Sequence, residues 1–169
     1  MGVRRQAREA AIQAIYMCDS LDEWDLARAT FCLSNFDTPS AAVPYATQLL
    51  EGVLGCLPQI DSQIATASEH WSLNRMSRVD RSILRLASYE VLFLEDIPLN
   101  VAIDEAIEIS KRFGSDNSSI FVNGVLDKVA SSLRNKIEVS ATPASESRQI
   151  DADLPVSATQ DDANDEFSA

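Results

Sequence analysis

The chain is poor in the residues that build most catalytic and phosphate-binding sites. Its five glycines, at positions 2, 52, 55, 114 and 124, stand too far apart for a GxGxxG turn or a P-loop. There is one histidine, His70, beside Trp71. The three cysteines (Cys18, Cys32 and Cys56) are scattered, with no CxxC pair, which reads as reduced thiols rather than metal ligands or disulfides. Neither GxSxG nor HExxH occurs. Apolar runs such as Val91-Leu92-Phe93-Leu94 stop far short of the ~20 residues that span a bilayer. Arg4 and Arg5 are followed at once by Arg8 and Glu9, not by an apolar stretch, so the start reads as neither a secretory nor a twin-arginine signal. Met1-Gly2 without Ser or Thr at position 6 fails the myristoylation pattern. The expectation is a soluble cytoplasmic protein with no catalytic centre, no cofactor, no metal and no membrane partner.

Positive charge is scarce too. Fourteen Lys and Arg face 26 Asp and Glu, a net charge of −12. Long-range attraction to nucleic acid is therefore weak, and any such contact has to be local and helped by a partner. The charge is also uneven. Residues 140–169 carry seven acids and one base among Ser, Ala, Thr and Pro. Such a segment cannot bury enough apolar surface to offset its ordering entropy, and it reads as a disordered acidic tail. The expected division is a folded body over 1–138 and a tail over 139–169. The tail could compete with RNA for basic residues as a local polyanion, or simply keep the chain soluble.

The body reads as helical throughout. Ala7, Ala11, Ala14 and Cys18 recur on one face of a helix over Gln6–Cys18. A second helix spans Asp22–Phe36, with Leu26, Ala29, Phe31 and Leu33 as its core side. A third runs from about Ala41 to Gly55. A fourth starts near Pro58, a residue suited to a first helical turn, and runs to about His70. Val79–Leu94 is apolar and too long for a strand. After Pro98, Ala102, Ala106, Ile109 and Phe113 form a buried stripe, with Asp104, Glu108 and Arg112 as a solvated row opposite. Gly114 stops that helix, and Ser115 or Asp116 caps a last one carrying Phe121, Val122, Val125, Leu126, Val129 and Leu133. No segment alternates with period two. The fold class is all-α, a bundle of about seven helices with short connections.

Two features carry binding chemistry. Arg4, Arg5 and Arg8 precede or adjoin the first acid, Glu9, and on a helix Arg5, Arg8, Ile12 and Tyr16 form one strip opposite the alanine face. Arginine forks take phosphates, and a tyrosine on the same strip can stack on a base, which outlines a small single-stranded RNA site. The second feature is Gly114-Ser115-Asp116-Asn117-Ser118-Ser119, where polar groups meet a helix start able to take phosphate or base edges.

Longer motifs give these features a context. Arg4-Arg5-Gln6-Ala7-Arg8-Glu9-Ala10-Ala11-Ile12-Gln13-Ala14-Ile15-Tyr16 resembles the arginine-rich opening helix of the NusB family of bacterial transcription antitermination factors. I-L-R-L-A at 83–87, N-x-A-I-D-E-A-I-E-I-x-K-x-F-G at 100–114 and F-V-N-G-V-L-D-K at 121–128 are similar to the same family in the same order. The resemblance covers about residues 1–136; residues 20–75 match in helical pattern only. It implies seven helices in two subdomains, as a monomer or a homodimer. It implies binding of a boxA-type RNA jointly with the small-subunit ribosomal protein that doubles as NusE. The pair would act on the elongating RNA polymerase with other Nus factors, notably at ribosomal RNA operons. The RNA contacts it implies are Arg4, Arg5, Arg8, Tyr16, Asn117, Ser118 and Phe121; the NusE contact would lie near Asp80, Arg81 and Arg85. One departure is Ile120, which stands where the family often has a basic residue and cannot bind phosphate. Two other readings are an RNA-targeting domain like that of an rRNA cytosine methyltransferase, which needs a cofactor-binding domain and a catalytic cysteine motif downstream, and a protein scaffold without RNA binding.

Overall fold

The computed structural model describes residues 2–69 and 71–141, with side chains to residue 133. The acidic segment after Ala141 and the lone His70 lie outside the described residues. Among the described residues there are seven α-helices and no strand: α1 (Val3–Leu21), α2 (Leu26–Asn35), α3 (Val43–Gly55), α4 (Leu57–Ala67), α5 (Arg78–Phe93), α6 (Leu99–Phe113) and α7 (Ser118–Ala141). A single 3₁₀ turn, Leu73–Arg75, leads into α5.

The helix ends follow local chemistry. Asp22 closes α1 in the left-handed region at φ 54°, its N–H donating to the Cys18 carbonyl. That stop moves the start of α2 from the expected Asp22 to Leu26, where the Asp25 carboxylate accepts from the Arg28 N–H at 2.8 Å. Proline stands in the first turn of both α3 and α4, where no intrahelical N–H is lost. The Ser77 hydroxyl accepts from the Asp80 N–H at 3.0 Å and caps α5. α4 ends at Ala67, before the expected His70.

Helices α1, α2 and α3 pack on one another; α5 and α7 pack together, with α4 and α6 each packed against both. α5 also packs against α1 and α3, so it is the central helix joining both groups around one continuous core. Leu49, Leu50, Ile64, Ile83, Leu84 and Leu126 are fully buried there. Because α5 is covered on nearly every side, its polar residues Asp80, Ser82, Arg85, Ser88 and Glu90 are buried along with its apolar ones. Buried polar groups need partners, and this requirement organises the rest of the molecule.

Two core expectations change. In α2 the inward face is Ala29, Cys32 and Leu33, at i, i+3 and i+4, while Leu26 is exposed and Phe31 is 61% exposed. Phe113, expected in the α6 stripe, is exposed at the helix end. The expected α6 charge row does face solvent, with Asp104, Glu108 and Arg112 all exposed; Glu108 accepts from Lys111 at 2.7 Å, and Arg112 reaches Glu9 of α1 at 2.8 Å.

Candidate nucleic-acid interface

The opening arginines have three different environments. Arg4 is exposed, its guanidinium 5.3 Å from the centre of the Tyr45 ring. Arg5 donates from Nε and Nη2 to the two oxygens of Glu105 in α6, at 2.8 and 2.7 Å. Arg8 is buried and donates from Nε to both oxygens of Glu90, at 2.9 and 3.1 Å. Tyr45 donates its hydroxyl to the same carboxylate at 2.8 Å. Burial pushes the Glu90 carboxyl above its usual range against the pull of Arg8 and Tyr45. The Arg5 hydrogen bond holds Glu105 below its usual range.

The outward strip of Arg5, Arg8, Ile12 and Tyr16 is therefore corrected. α1 packs on α2 and α3 on one side and on α5 on another, which takes Arg8 and Ile12 into the interior. Arg4, Arg5, Pro98, Val101 and Glu105 border an open hollow of about 460 Å³, where Arg4 is the outermost cation.

The second feature sits where α6 meets α7. Gly114 is extended, at φ −88° and ψ −173°, not left-handed. A Cβ there would lie 2.4 Å from Ser118 Oγ and 2.7 Å from the Ser110 carbonyl oxygen, so glycine is required by close approach. Ser118 is buried, and its hydroxyl accepts from the Ser115 N–H at 2.8 Å. Since α7 begins at Ser118, the capping position falls on Asn117 rather than on Ser115 or Asp116, and the Phe121 N–H donates to the Asn117 carbonyl at 3.1 Å. Asn117 is exposed, Phe121 is half-buried, and Ile120 is 74% exposed. Of the three residues expected here, Asn117 and Phe121 present surface, while the Ser118 hydroxyl is used in holding the loop.

Asp80, Arg81 and Arg85 do not form one patch. Arg85 is buried; it donates from Nη1 to Asp19 at 2.7 Å and from Nε and Nη2 to Asp61 at 2.8 and 2.9 Å, and lies 4.7 Å from the Trp24 ring centre. Arg81 bonds Asp19 and the Leu73 carbonyl. These two arginines pin α5 to α1 and α4. Burial alone would raise the Asp19 carboxyl, but hydrogen bonds from Arg81 and Arg85 outweigh it and bring it below its usual range. Asp80 lies elsewhere, bordering a hollow of about 260 Å³ with Trp71, Arg75, Asn117 and Phe121.

Comparison with known proteins gives the family. The NusB family model matches residues 5–131. The transcription antitermination protein NusB of Geobacter sp. (strain M21) is 46% identical over 144 residues, covering 80% of this chain and 99% of that protein. The protein of the same name from Desulfitobacterium hafniense is 47% identical over 137 residues, covering 80% and 93%. This chain belongs to the NusB family. Its fold is similar to that of T. maritima NusB, at a TM-score of 0.70 and 41% identity over 80% of this chain and 96% of the other. It is also similar to a chain of the crystal structure of antitermination factors NusB and NusE in complex with dsRNA, at a TM-score of 0.66 and 26% identity, covering 77% and 97%. These relatives are named for transcription antitermination rather than for a reaction, in line with the reading against an enzyme.

Two elements of the NusB-like surface were not read from the sequence. One is the set of carboxylates (Asp19, Asp61, Glu90 and Glu105) that engage the arginines. Arg81 and Arg85, four apart among the apolar residues Ile83, Leu84, Leu86 and Ala87, were the available signal that buried acids must face them. The other is an apolar groove of about 260 Å³ lined by Ile12, Tyr16, Met17, Phe36, Val79 and Phe113. Its residues come from four separate segments, and it places Tyr16 among apolar side chains rather than beside the arginines. Among the described residues no three acids, cysteines or histidines could hold a metal, and no helix is long and apolar enough to cross a membrane.

Proposed function

We propose that this chain is a transcription antitermination factor that binds boxA-type single-stranded RNA jointly with ribosomal protein NusE. The complex acts on elongating RNA polymerase with other Nus factors, notably at ribosomal RNA operons. The observation that carries this reading is the shared fold, over 77% of this chain, with a solved NusB held together with NusE and double-stranded RNA.

The roles divide by environment. Arg4 meets phosphate directly, and Asn117 and Phe121 meet bases at the α6–α7 loop. Arg5, Arg8 and Ser118 act one step back: they orient α1 against α5 and α6 and hold the loop closed. Arg81 and Arg85 likewise stiffen the face on which NusE docks. The apolar groove around Tyr16 and Phe113 suits a protein partner, since aromatic and Met side chains are enriched at the centres of interfaces. A protein of net −12 gains little from long-range attraction to RNA, which is why a partner that adds affinity fits this chain.

The test is fluorescence anisotropy of a boxA RNA and a scrambled control, with the protein alone and with NusE. Selective binding that strengthens with NusE is the expected result. A NusE complex without RNA selectivity would favour the scaffold reading, and no response to either ligand would remove both.

A further inference from the structure

Tyr45 stands in the first turn of α3, one residue after Pro44. Its ring centre lies 5.3 Å from the Arg4 guanidinium and 5.8 Å from that of Arg8. Both distances are within the reach of a cation–π contact. α3 packs against α1, so a residue more than forty positions along the chain is brought to the opening arginines.

The ring is held from the interior. Its hydroxyl donates to Glu90 Oε1 at 2.8 Å, and Glu90 is 1% exposed. Arg8 donates to the same carboxylate. Burial, with the Glu90 charge beside it, pushes the Tyr45 hydroxyl well above its usual range, so it stays a donor. Turning the ring away would strip a buried carboxylate of one of its donors, which is costly. Tyr45 is itself half-buried, and the cation it meets at the surface is Arg4, which is exposed.

Arg8 needs no help from the ring, because Glu90 already fixes its guanidinium. Arg4 does. A long arginine side chain loses much rotamer freedom when it closes on a phosphate, and a surface that orders it beforehand reduces that cost. A carboxylate would order it too, as Glu105 orders Arg5, but it would consume the charge and the N–H donors. An aromatic ring holds the cation and leaves its donors available.

We propose that Tyr45 is a positioning residue for RNA binding: its ring holds the Arg4 guanidinium in place for a backbone phosphate. The proposal rests on the RNA-binding reading above and adds to it a residue that lies outside the opening-helix motif.

The experiment uses the full chain, a boxA RNA with NusE, and the variants Tyr45→Leu, Tyr45→Phe, Arg4→Ala and Arg4→Ala/Tyr45→Leu, each with a melting curve. Tyr45→Leu is expected to weaken RNA binding about two- to fivefold, the worth of one exposed cation–π contact. Tyr45→Phe keeps the ring and loses the bond to Glu90, so it should melt lower yet recover affinity to within about twofold of the wild type. In the Arg4→Ala background Tyr45→Leu should cost no further affinity, because the ring then has no cation to place. In the protein without RNA, the Arg4 δ-methylene protons, identified by NMR from their loss in Arg4→Ala, should lie upfield under the Tyr45 ring and return downfield in Tyr45→Leu. Equal losses from Tyr45→Leu in both backgrounds would make Tyr45 a general support of the fold and overturn the proposal. So would a loss in Tyr45→Phe as large as that in Tyr45→Leu. Unshifted Arg4 protons in the wild type would overturn it without any variant at Tyr45. Each of these results leaves the RNA reading intact if the wild type binds RNA. No RNA binding by the wild type, with or without NusE, overturns both.

Discussion

The start of α1 and the hollow at the start of α5 use buried charge in opposite ways. At α1, Arg8 enters the interior and meets Glu90, which Tyr45 also bonds, and Arg5 is held side-on by Glu105. Every one of those charges has a partner inside the fold. At α5, Asp80 is buried too, though less deeply than Arg8 and Glu90, and one of its oxygens has no partner. The first arrangement makes a rigid scaffold and leaves Arg4 as the outlying cation. The second leaves a carboxylate oxygen enclosed without a partner beside a hollow. Richness in arginine at the start of α1 therefore marks a part of the molecule that is largely structural.

Breaking the scaffold should cost most. Arg8→Met leaves Glu90 buried without its counter-charge and should destabilise the protein by about 3–5 kcal/mol in urea unfolding. The double variant Arg8→Met/Glu90→Leu should recover most of that, because the expense lies in the orphaned charge. Asp80→Asn, at the other region, should change stability by less than about 1 kcal/mol, and a loss as large as that of Arg8→Met would erase the contrast.

Gly114→Ala attacks the loop that joins α6 to α7. Its new Cβ meets Ser118 and the Ser110 carbonyl, and the overpacking should cost about 1–3 kcal/mol. RNA affinity should fall with it, since Asn117 and Phe121 ride on that loop. Unchanged binding in a destabilised variant would detach the loop from the RNA site.

Arg4→Ala sharpens the comparison from the other side. It should weaken RNA binding by about 1 kcal/mol and lower the slope of log affinity against log salt by about 1, with stability unchanged. Arg5→Ala should instead show in the melting curve.

The smallest effect is in pH. The stability contributed by Glu105 and Asp19, whose carboxyls are held below their usual range, is fully present above the ordinary carboxylate pKa and is lost as pH falls through their depressed values. Glu90, raised by burial, works in the opposite sense over the window just above the ordinary value. Glu105→Gln should therefore flatten the acid limb of stability between about pH 6 and pH 3, measured by urea unfolding at several pH values.

Much of the fold was legible because helix periodicity is local. Ala7, Ala11, Ala14 and Cys18 are all fully buried, as their spacing required. Prolines mark the starts of α3, α4 and α6, inside the first turn of the first two and just before the third. What misled were large apolar side chains at helix margins: Phe31 and Phe113 are hydrophobic enough for a core, but only the packing of neighbouring helices decides which face is inside. The candidate site was legible as a list of residues, not as roles. Arg5 and Glu105 are a hundred positions apart, and nothing in either neighbourhood announces the other.

The sequence by itself determined the helices and the family, because side-chain periodicity and ordered motifs are properties of short stretches. Tertiary structure alone decided which charges are spent. Whether an arginine reaches solvent or a carboxylate depends on how α1, α5 and α6 lie against one another, and burial turns an unpaired charge from a neutral surface feature into one of the largest local costs in the fold.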